Sequence, residues 1–146
     1  MRLSWVRGCS AKKAAGNTAL ANSYRNHLRN SYKFTLPFPP SVNSMFHQRG
    51  GQQKFKSKGY KEWLISCPKL DKINLIGPVQ VNYKFFWPCN RARDLSNYTK
   101  AAEDFLVSQG VLMDDNWKVV QSITLDTGGV VKKHEARVEI EIHELP

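Results

Sequence analysis

The strongest periodic pattern in this sequence is an apolar stripe with helical spacing in its C-terminal half. The stripe consists of Leu95, Tyr98, Ala102, Phe105 and Leu106. Residues spaced in this way share one face of a helix, and Gly110 just beyond them is a typical C-terminal stop. The pattern predicts an amphipathic helix that packs its apolar face against a second layer of the fold.

Alternating apolar and polar residues predict the strands of that second layer. Strands are expected from Tyr32 to Phe38 and from Val79 to Phe85. Near the C-terminus, Val119 to Leu125 and Arg137 to His143 also favour strands, and the turn-like Thr127-Gly128-Gly129 lies between them. We therefore expect the last two strands to pair as a hairpin.

A first helix is predicted after Ser57, which is a typical N-cap residue. Its apolar face consists of Tyr60, Trp63, Leu64 and Cys67, and Pro68 ends it. The predicted order of elements is β-α-β-α-β-β, without an internal repeat. This order favours a compact α+β fold with two main helices packed on a mixed sheet.

The charge balance points to a polyanionic partner. The chain has 22 Lys and Arg against 12 Asp and Glu, a formal net charge of +10. Basic side chains release counterions from a phosphate backbone, so nucleic acid is the first candidate. The stretch 49–58 is expected to be a flexible, phosphate-seeking loop or an ordinary solvated one, and it contains Arg49, Lys54, Lys56 and Lys58.

Length and composition indicate one folded domain and a cytoplasmic location. A chain of 146 residues with 41% apolar residues can bury a core, which we assign to residues 32–146. Residues 1–31 are expected to form a basic flexible arm, with a helix-compatible stretch from Ala14 to Leu28. No apolar run approaches the ~20 residues of a membrane span, and polar residues interrupt any signal peptide. Cys9, Cys67 and Cys89 are spaced as reduced thiols rather than as a zinc site.

The acidic residues of this basic chain gather around the second predicted helix. Asp94 begins the helix, directly after Arg91 and Arg93, and Lys100 and Asp104 follow at i, i+4 spacing. Hard carboxylate oxygens beside a lysine suit metal-assisted phosphodiester hydrolysis. The same residues would also suit a helix cap and a solvated ion pair, which are commoner than nuclease sites.

The turn after the second helix carries two further aspartates, Asp114 and Asp115. They reach the start of the helix only if the connection folds back, which the sequence alone leaves open. An ordinary acidic turn is the alternative.

Two linked motifs resemble one known family. The stretch from Leu36 to Asn43, Leu-Pro-Phe-Pro-Pro-Ser-Val-Asn, resembles the entry motif of RusA-type Holliday junction resolvases. The stretch from Arg93 to Lys100, followed by Gly110-Val111 and Asp114-Asp115, is similar to that family's Arg-Asp-x-Asp-Asn-x-x-Lys helix and Asp-Asp turn. The resemblance extends from about Tyr32 to the C-terminus.

The resemblance implies a homodimeric endonuclease that uses magnesium, with manganese as an alternative, to make paired nicks in opposed strands of a four-way DNA junction. It assigns catalysis to Asp94, Lys100 and Asp115, with Asp94 and Asp115 as metal ligands. Asp114 would either join the ligands or only shape the turn. The residues expected to contact DNA are Arg49, Lys54, Lys56, Arg91 and Arg93, and those expected to shape the site are Ser41, Asn43, Asn97 and Asp104.

One position departs from the family pattern, because Ser96 stands where the family has a second aspartate. A serine hydroxyl is a weak or water-mediated ligand without negative charge. The alternative function is therefore a catalytically weak protein of the same fold that binds branched DNA. A third hypothesis is an RNA- or single-strand-binding protein that stacks bases on Trp5, Phe55, Trp87 or Trp117.

Overall fold

The computed structural model describes residues 30–51 and 53–146. The predicted Ala14–Leu28 helix lies outside the described residues, as do Trp5 and Cys9. Ser31, placed in the arm by the sequence, already pairs with His143 in the first strand. The described residues contain no helix long and apolar enough to cross a membrane.

The described residues form six strands and two α-helices, which confirms the predicted α+β class. The strands are β1 (Ser31–Pro37), β2 (Phe46–Arg49), β3 (Gln53–Lys56), β4 (Val79–Trp87), β5 (Val120–Val130) and β6 (Arg137–Glu144), and the helices are α1 (Lys58–Ser66) and α2 (Thr99–Ser108). Short 3-10 helices span Val42–Ser44, Leu95–Tyr98 and Lys133–Glu135. The main sheet has the order β1-β6-β4-β5, with β4 antiparallel to β6 and parallel to β5.

The predicted hairpin between the last two strands is wrong. β5 runs through the presumed turn to Val130, and β4 lies between β5 and β6. The alternating residues of β4, from Val79 to Phe85, are almost completely buried, which favours a central position. At Gly128 an added Cβ would lie 2.4 Å from the Phe86 ring, so glycine allows the two strands to approach closely there.

The expected loop after Arg49 is instead a small antiparallel hairpin of β2 and β3. Gly50 and Gly51 have φ values of 65° and 85°, which glycine adopts without steric cost. The amide of Ser57 donates to the carbonyl of Met45 at 2.8 Å, which ties the base of the hairpin to the buried Met45. The hairpin therefore projects from an anchored base.

The core holds α2 in place on the sheet. Its buried residues are Ala101, Ala102, Phe105 and Leu106, and they belong to one cluster with the inward residues of β4 and β6. Helix α1 contributes Trp63, which packs edge-on against Phe105 and donates from Nε1 to the Pro37 carbonyl at 3.0 Å. Ser57 caps α1 as predicted, accepting from the amide of Tyr60. The polar face of α2 is thereby turned away from the core.

Candidate active site

Asp94 caps the 3-10 helix that leads into α2. Its Oδ1 accepts from the amide of Ser96 at 3.1 Å and from the Ser96 hydroxyl at 2.8 Å. The Ser96 hydroxyl thus orients the Asp94 carboxylate from inside the same turn. The other oxygen, Oδ2, has no hydrogen bond among the described residues and is available to a ligand.

Lys100 lies one turn further along, in the first turn of α2, and bridges two carboxylates. Its Nζ is 2.8 Å from Asp104 Oδ1 and 2.6 Å from Asp115 Oδ2. The hydrogen bonds to Asp104 and Asp115 raise the pKa of Lys100, and the hydrogen bond from Lys100 lowers the pKa of Asp115. Both groups are therefore charged across the neutral pH range.

The turn after α2 folds back, as the site required. Residues 110–113 pair with the connection before β4 through the amides of Ile73, Asn74 and Leu75, and this pairing directs the following residues back along the helix. Asp115 thereby reaches Lys100 across 15 positions of sequence. No hydrogen bond or ion pair joins Asp94 directly to Lys100 or Asp115 within the described residues.

Asp114 stabilises the turn itself. Its Oδ1 accepts from the amide of Asp115 at 2.7 Å and its Oδ2 accepts from Asn116 Nδ2 at 2.5 Å. With both oxygens used inside the turn, Asp114 is less available to a ligand than Asp115, whose Oδ2 accepts from Lys100.

A cleft in front of Asp94 collects several residues singled out by the sequence. It is lined by Ser41, Asn43, Arg91, Ala92, Arg93, Asp94, Asn97 and Tyr98. The proline-rich segment after β1 therefore lies against the start of the 3-10 helix that precedes α2. Ser41 and Ser44 bond within their own turn, so this wall of the cleft is pre-formed.

The arginines beside Asp94 differ in their contacts. Arg93 donates to the carbonyls of Cys89 and Arg91 and to Cys89 Sγ, and its guanidinium lies 5.7 Å from the Trp87 ring centroid. These bonds raise the pKa of Arg93, chiefly through Cys89. Arg91 is exposed and has no side-chain hydrogen bond or ion pair in the described residues, so it is free to meet a phosphate.

The basic residues of the β2/β3 hairpin form a separate positive surface. Lys54 and Lys56 are exposed on β3, and Lys56 Nζ lies 5.6 Å from the centroid of Tyr60. Lys56 and Tyr60 also line a groove that contains Asp104 and Asp115. Arg49 ends β2, on the other strand of the hairpin. Lys56 is thus the basic residue of the hairpin that shares a groove with the carboxylates of the site.

An aromatic cluster that sequence reasoning missed lies beneath the cleft. Phe38, Phe85, Trp87 and Tyr98 have ring centroids between 5.3 and 6.5 Å apart. Trp87 is therefore a packing residue, although the sequence offered it as a stacking platform. The sequence did contain a signal for this packing, because the alternation of apolar and polar residues in β4 continues from Tyr83 and Phe85 to Trp87.

A second missed feature is a half-buried carboxylate behind the site, Glu103 on α2. Burial raises its pKa, and the charges of Lys100 and Asp115 act on it with opposite signs. The buried Tyr83 hydroxyl, close enough to sense Glu103 and Asp115, has no hydrogen-bond partner. Glu103 adds negative potential behind Lys100.

The donors suit a hard cation better than a soft one. Within the described residues Asp94 Oδ2 accepts no hydrogen bond, Asp115 adds a second carboxylate, and Ser96 adds a hydroxyl. Across residues 30–51 and 53–146, no three His, Cys, Asp or Glu side chains are grouped closely enough to hold a metal ion. Magnesium is commonly held by one or two carboxylates together with waters and substrate phosphates, and the residues present fit that mode.

A basic α+β domain that presents a lysine between carboxylates, beside an arginine-lined cleft, has the features of a phosphodiester-cleaving enzyme for nucleic acid. Comparison with known proteins agrees, because the model of the family "Endodeoxyribonuclease RusA" matches residues 37–143. The chain belongs to the RusA endodeoxyribonuclease family.

Individual relatives support the assignment. The crossover junction endodeoxyribonucleases RusA of Shigella sonnei strain Ss046 and Escherichia coli strain K12 are each 36% identical to this chain over 91 residues. The protein of the same name from Enterobacteria phage 82 is 35% identical over 91 residues. Each alignment covers 59% of this chain and 75% of the relative.

Proposed function

We propose that this protein resolves Holliday junctions by magnesium-dependent, paired nicking of opposed strands. The observation that carries the proposal is the bridge from Lys100 to Asp104 and Asp115, in a chain of this family. Lys100 makes this bridge from the first turn of α2, shortly after Asp94. The names of the relatives specify crossover junctions as their substrate. Those relatives come from bacteria and a phage, so we propose the cytoplasm of a bacterial or phage-infected cell as the place of action.

In this proposal the side chains divide the work around one phosphate. Asp94 and Asp115 would hold magnesium, which supplies an activated water and neutralises charge on the phosphate. Lys100 would stabilise the negative charge that builds on the phosphoryl oxygens. Arg91 at the cleft and Lys54 and Lys56 on the hairpin would position flanking phosphates without reading sequence.

A homodimer follows from the symmetry of the substrate. A four-way junction has two equivalent strands to cut, and a two-fold dimer would present one site to each of them. The proposal therefore includes a homodimer.

The direct test is an incubation of the protein with a labelled four-way junction and a linear duplex of matched sequence. The reactions contain magnesium, manganese or a chelator, and the products are separated on a denaturing gel. We expect symmetric, metal-dependent nicks in the junction only. A junction that is bound but uncut in every metal would favour the alternative function.

The alternative, a branched-DNA-binding protein with weak catalysis, is favoured by one observation. The Ser96 hydroxyl donates to Asp94 at 2.8 Å, at the position where an aspartate would bring a second negative charge. The site has therefore exchanged one carboxylate for an internal hydrogen bond. Tight and salt-sensitive junction binding without a product would characterise such a protein.

Ser96→Asp is expected to strengthen magnesium binding. Without metal the new carboxylate repels Asp94, and the hydrogen bond from the Ser96 hydroxyl to Asp94 is lost, so the melting temperature should fall. Magnesium should restore the melting temperature by binding between the two carboxylates. Thermal unfolding at increasing magnesium measures this, with Ser96→Asn as the uncharged control. An equal magnesium-induced shift in the wild type and Ser96→Asp would remove position 96 from the metal site.

A further inference from the structure

The largest side chain left exposed beside the candidate site is Trp117. It is 75% exposed, and neighbouring Met113 is 62% exposed. The other tryptophans of the described domain are packed, Trp63 in the core and Trp87 in the aromatic cluster. An exposed indole offers a large, rigid apolar surface with a polar edge, which a partner can cover with a gain in free energy.

The backbone around Trp117 is held by several hydrogen bonds. The carbonyl of Asn116 accepts from the amides of Val119 and Val120 at 3.0 and 2.9 Å, and Asn116 Oδ1 accepts from the amide of Lys118 at 2.9 Å. Asn116 is itself tied to Asp114. Trp117 therefore projects from a hydrogen-bonded turn, which lowers the entropy cost of placing its ring against a partner.

The position of the ring relative to the candidate site favours a nucleic-acid partner. Trp117 follows Asp115 by two residues, a span of at most about 7 Å along the chain. Successive nucleotides of one strand rise by about 3.4 Å, so a strand whose phosphate lies at the candidate site beside Asp115 has a base within reach of the ring. Lys118 Nζ lies 5.9 Å from the ring centroid, which places a positive charge for the backbone beside the aromatic surface for the base.

We propose that Trp117 stacks on a base exposed at the branch point of the junction and so determines selectivity for branched DNA. The inference rests on the proposed function. In a continuous duplex each base is stacked on both sides by its neighbours. Where strands exchange at a branch point, some base faces lack a neighbouring base, and an aromatic ring can stack on them. Stacking on such a face is tolerant of sequence and adds affinity only where the face is open.

The test compares binding of the junction and of a matched linear duplex in chelator, where no cutting occurs. Trp117→Ala is expected to weaken junction binding about tenfold, within the range of base stacking on an aromatic side chain, and to change duplex binding less than about twofold. Trp117→Phe should recover most of the loss. Ile65→Ala, which removes an 84% exposed side chain from α1, is the control and should change neither affinity.

Two further measurements separate the possible outcomes. Because Trp117 is exposed, Trp117→Ala should have the melting temperature of the wild type and the same oligomeric state in solution. Equal loss on both substrates, unchanged junction affinity, or a fall in dimer mass that accounts for the weaker binding would each overturn the inference. If the wild type prefers and cuts junctions and Trp117→Ala does so equally well, the proposed function stands and the inference about Trp117 fails. If the wild type shows no preference for junctions, both are refuted.

Discussion

Asp94→Asn and Asp115→Asn are each expected to slow junction cutting by about 10³-fold. Each change removes the charge of a carboxylate proposed to bind the metal, and metal-ion catalysis is worth several kcal/mol, with about 1.4 kcal/mol for each tenfold in rate. Junction binding should be unchanged or stronger, because each substitution also removes negative charge that faces phosphate. Single-turnover cutting with magnesium and equilibrium binding in chelator measure the two effects separately.

Asp126→Asn is a matched control for that prediction. Asp126 lies on β5 and lines a different pocket, with Lys33 and Lys84, so the same chemical change there should leave cutting within about twofold of wild type. Wild-type cutting by Asp94→Asn or Asp115→Asn would remove that residue from the site. Loss of binding together with cutting would indicate damage to the fold instead.

Lys100→Met is expected to reduce cutting by about 10²–10³-fold, the usual cost of removing one donor that stabilises charge in a transition state. The hydrogen bonds from Lys100 to Asp104 and Asp115 raise its pKa, so its positive charge is retained throughout the neutral range. The cutting rate of the wild type should therefore not fall through deprotonation of Lys100 at any pH below the ordinary pKa of lysine. A pH series of single-turnover rates for the wild type and Lys100→Met checks both statements.

Asp104→Asn distinguishes the charge of Lys100 from the ion pairs that hold it. This variant weakens one partner 2.8 Å from Nζ but leaves the ammonium and the contact with Asp115 in place. We expect cutting within about tenfold of wild type, since the remaining pair still fixes the lysine. If Lys100→Met cut as fast as the wild type, Lys100 would have no part in catalysis. If Asp104→Asn lost as much cutting as Lys100→Met, the ion pair with Asp104 would be needed to position the lysine.

The sequence predicted the elements of the fold better than their pairing. Hydrophobic periodicity identified α2 and β4, and Ser57 caps α1 as expected. Asp94 caps the 3-10 helix before α2, which is the cap role that the sequence offered as the alternative to a metal ligand. The pairing of β5 failed because periodicity shows which face of a strand is buried but not which strand lies beside it. The β2/β3 hairpin was missed because strands of four residues carry too little alternation to stand out from a basic loop.

The candidate site was predictable in composition and less so in geometry. The i, i+4 relation of Lys100 and Asp104 follows from helix geometry alone, and it appears as an ion pair. The approach of Asp115 depends on how residues 110–113 pair with the connection before β4, a tertiary contact without a local signal. Glu103 was overlooked because its half-burial arises from tertiary packing, which no spacing rule reports.

The bridge formed by Lys100 also bears on how such a site can change during evolution. Lys100 offsets part of the negative charge of Asp104 and Asp115, one ammonium against two carboxylates, before any ion or substrate arrives. Ser96 bonds to Asp94 and not to Lys100 or its two partners, so a change at position 96 leaves the bridge in place. The two parts of the site can therefore change independently of each other during evolution.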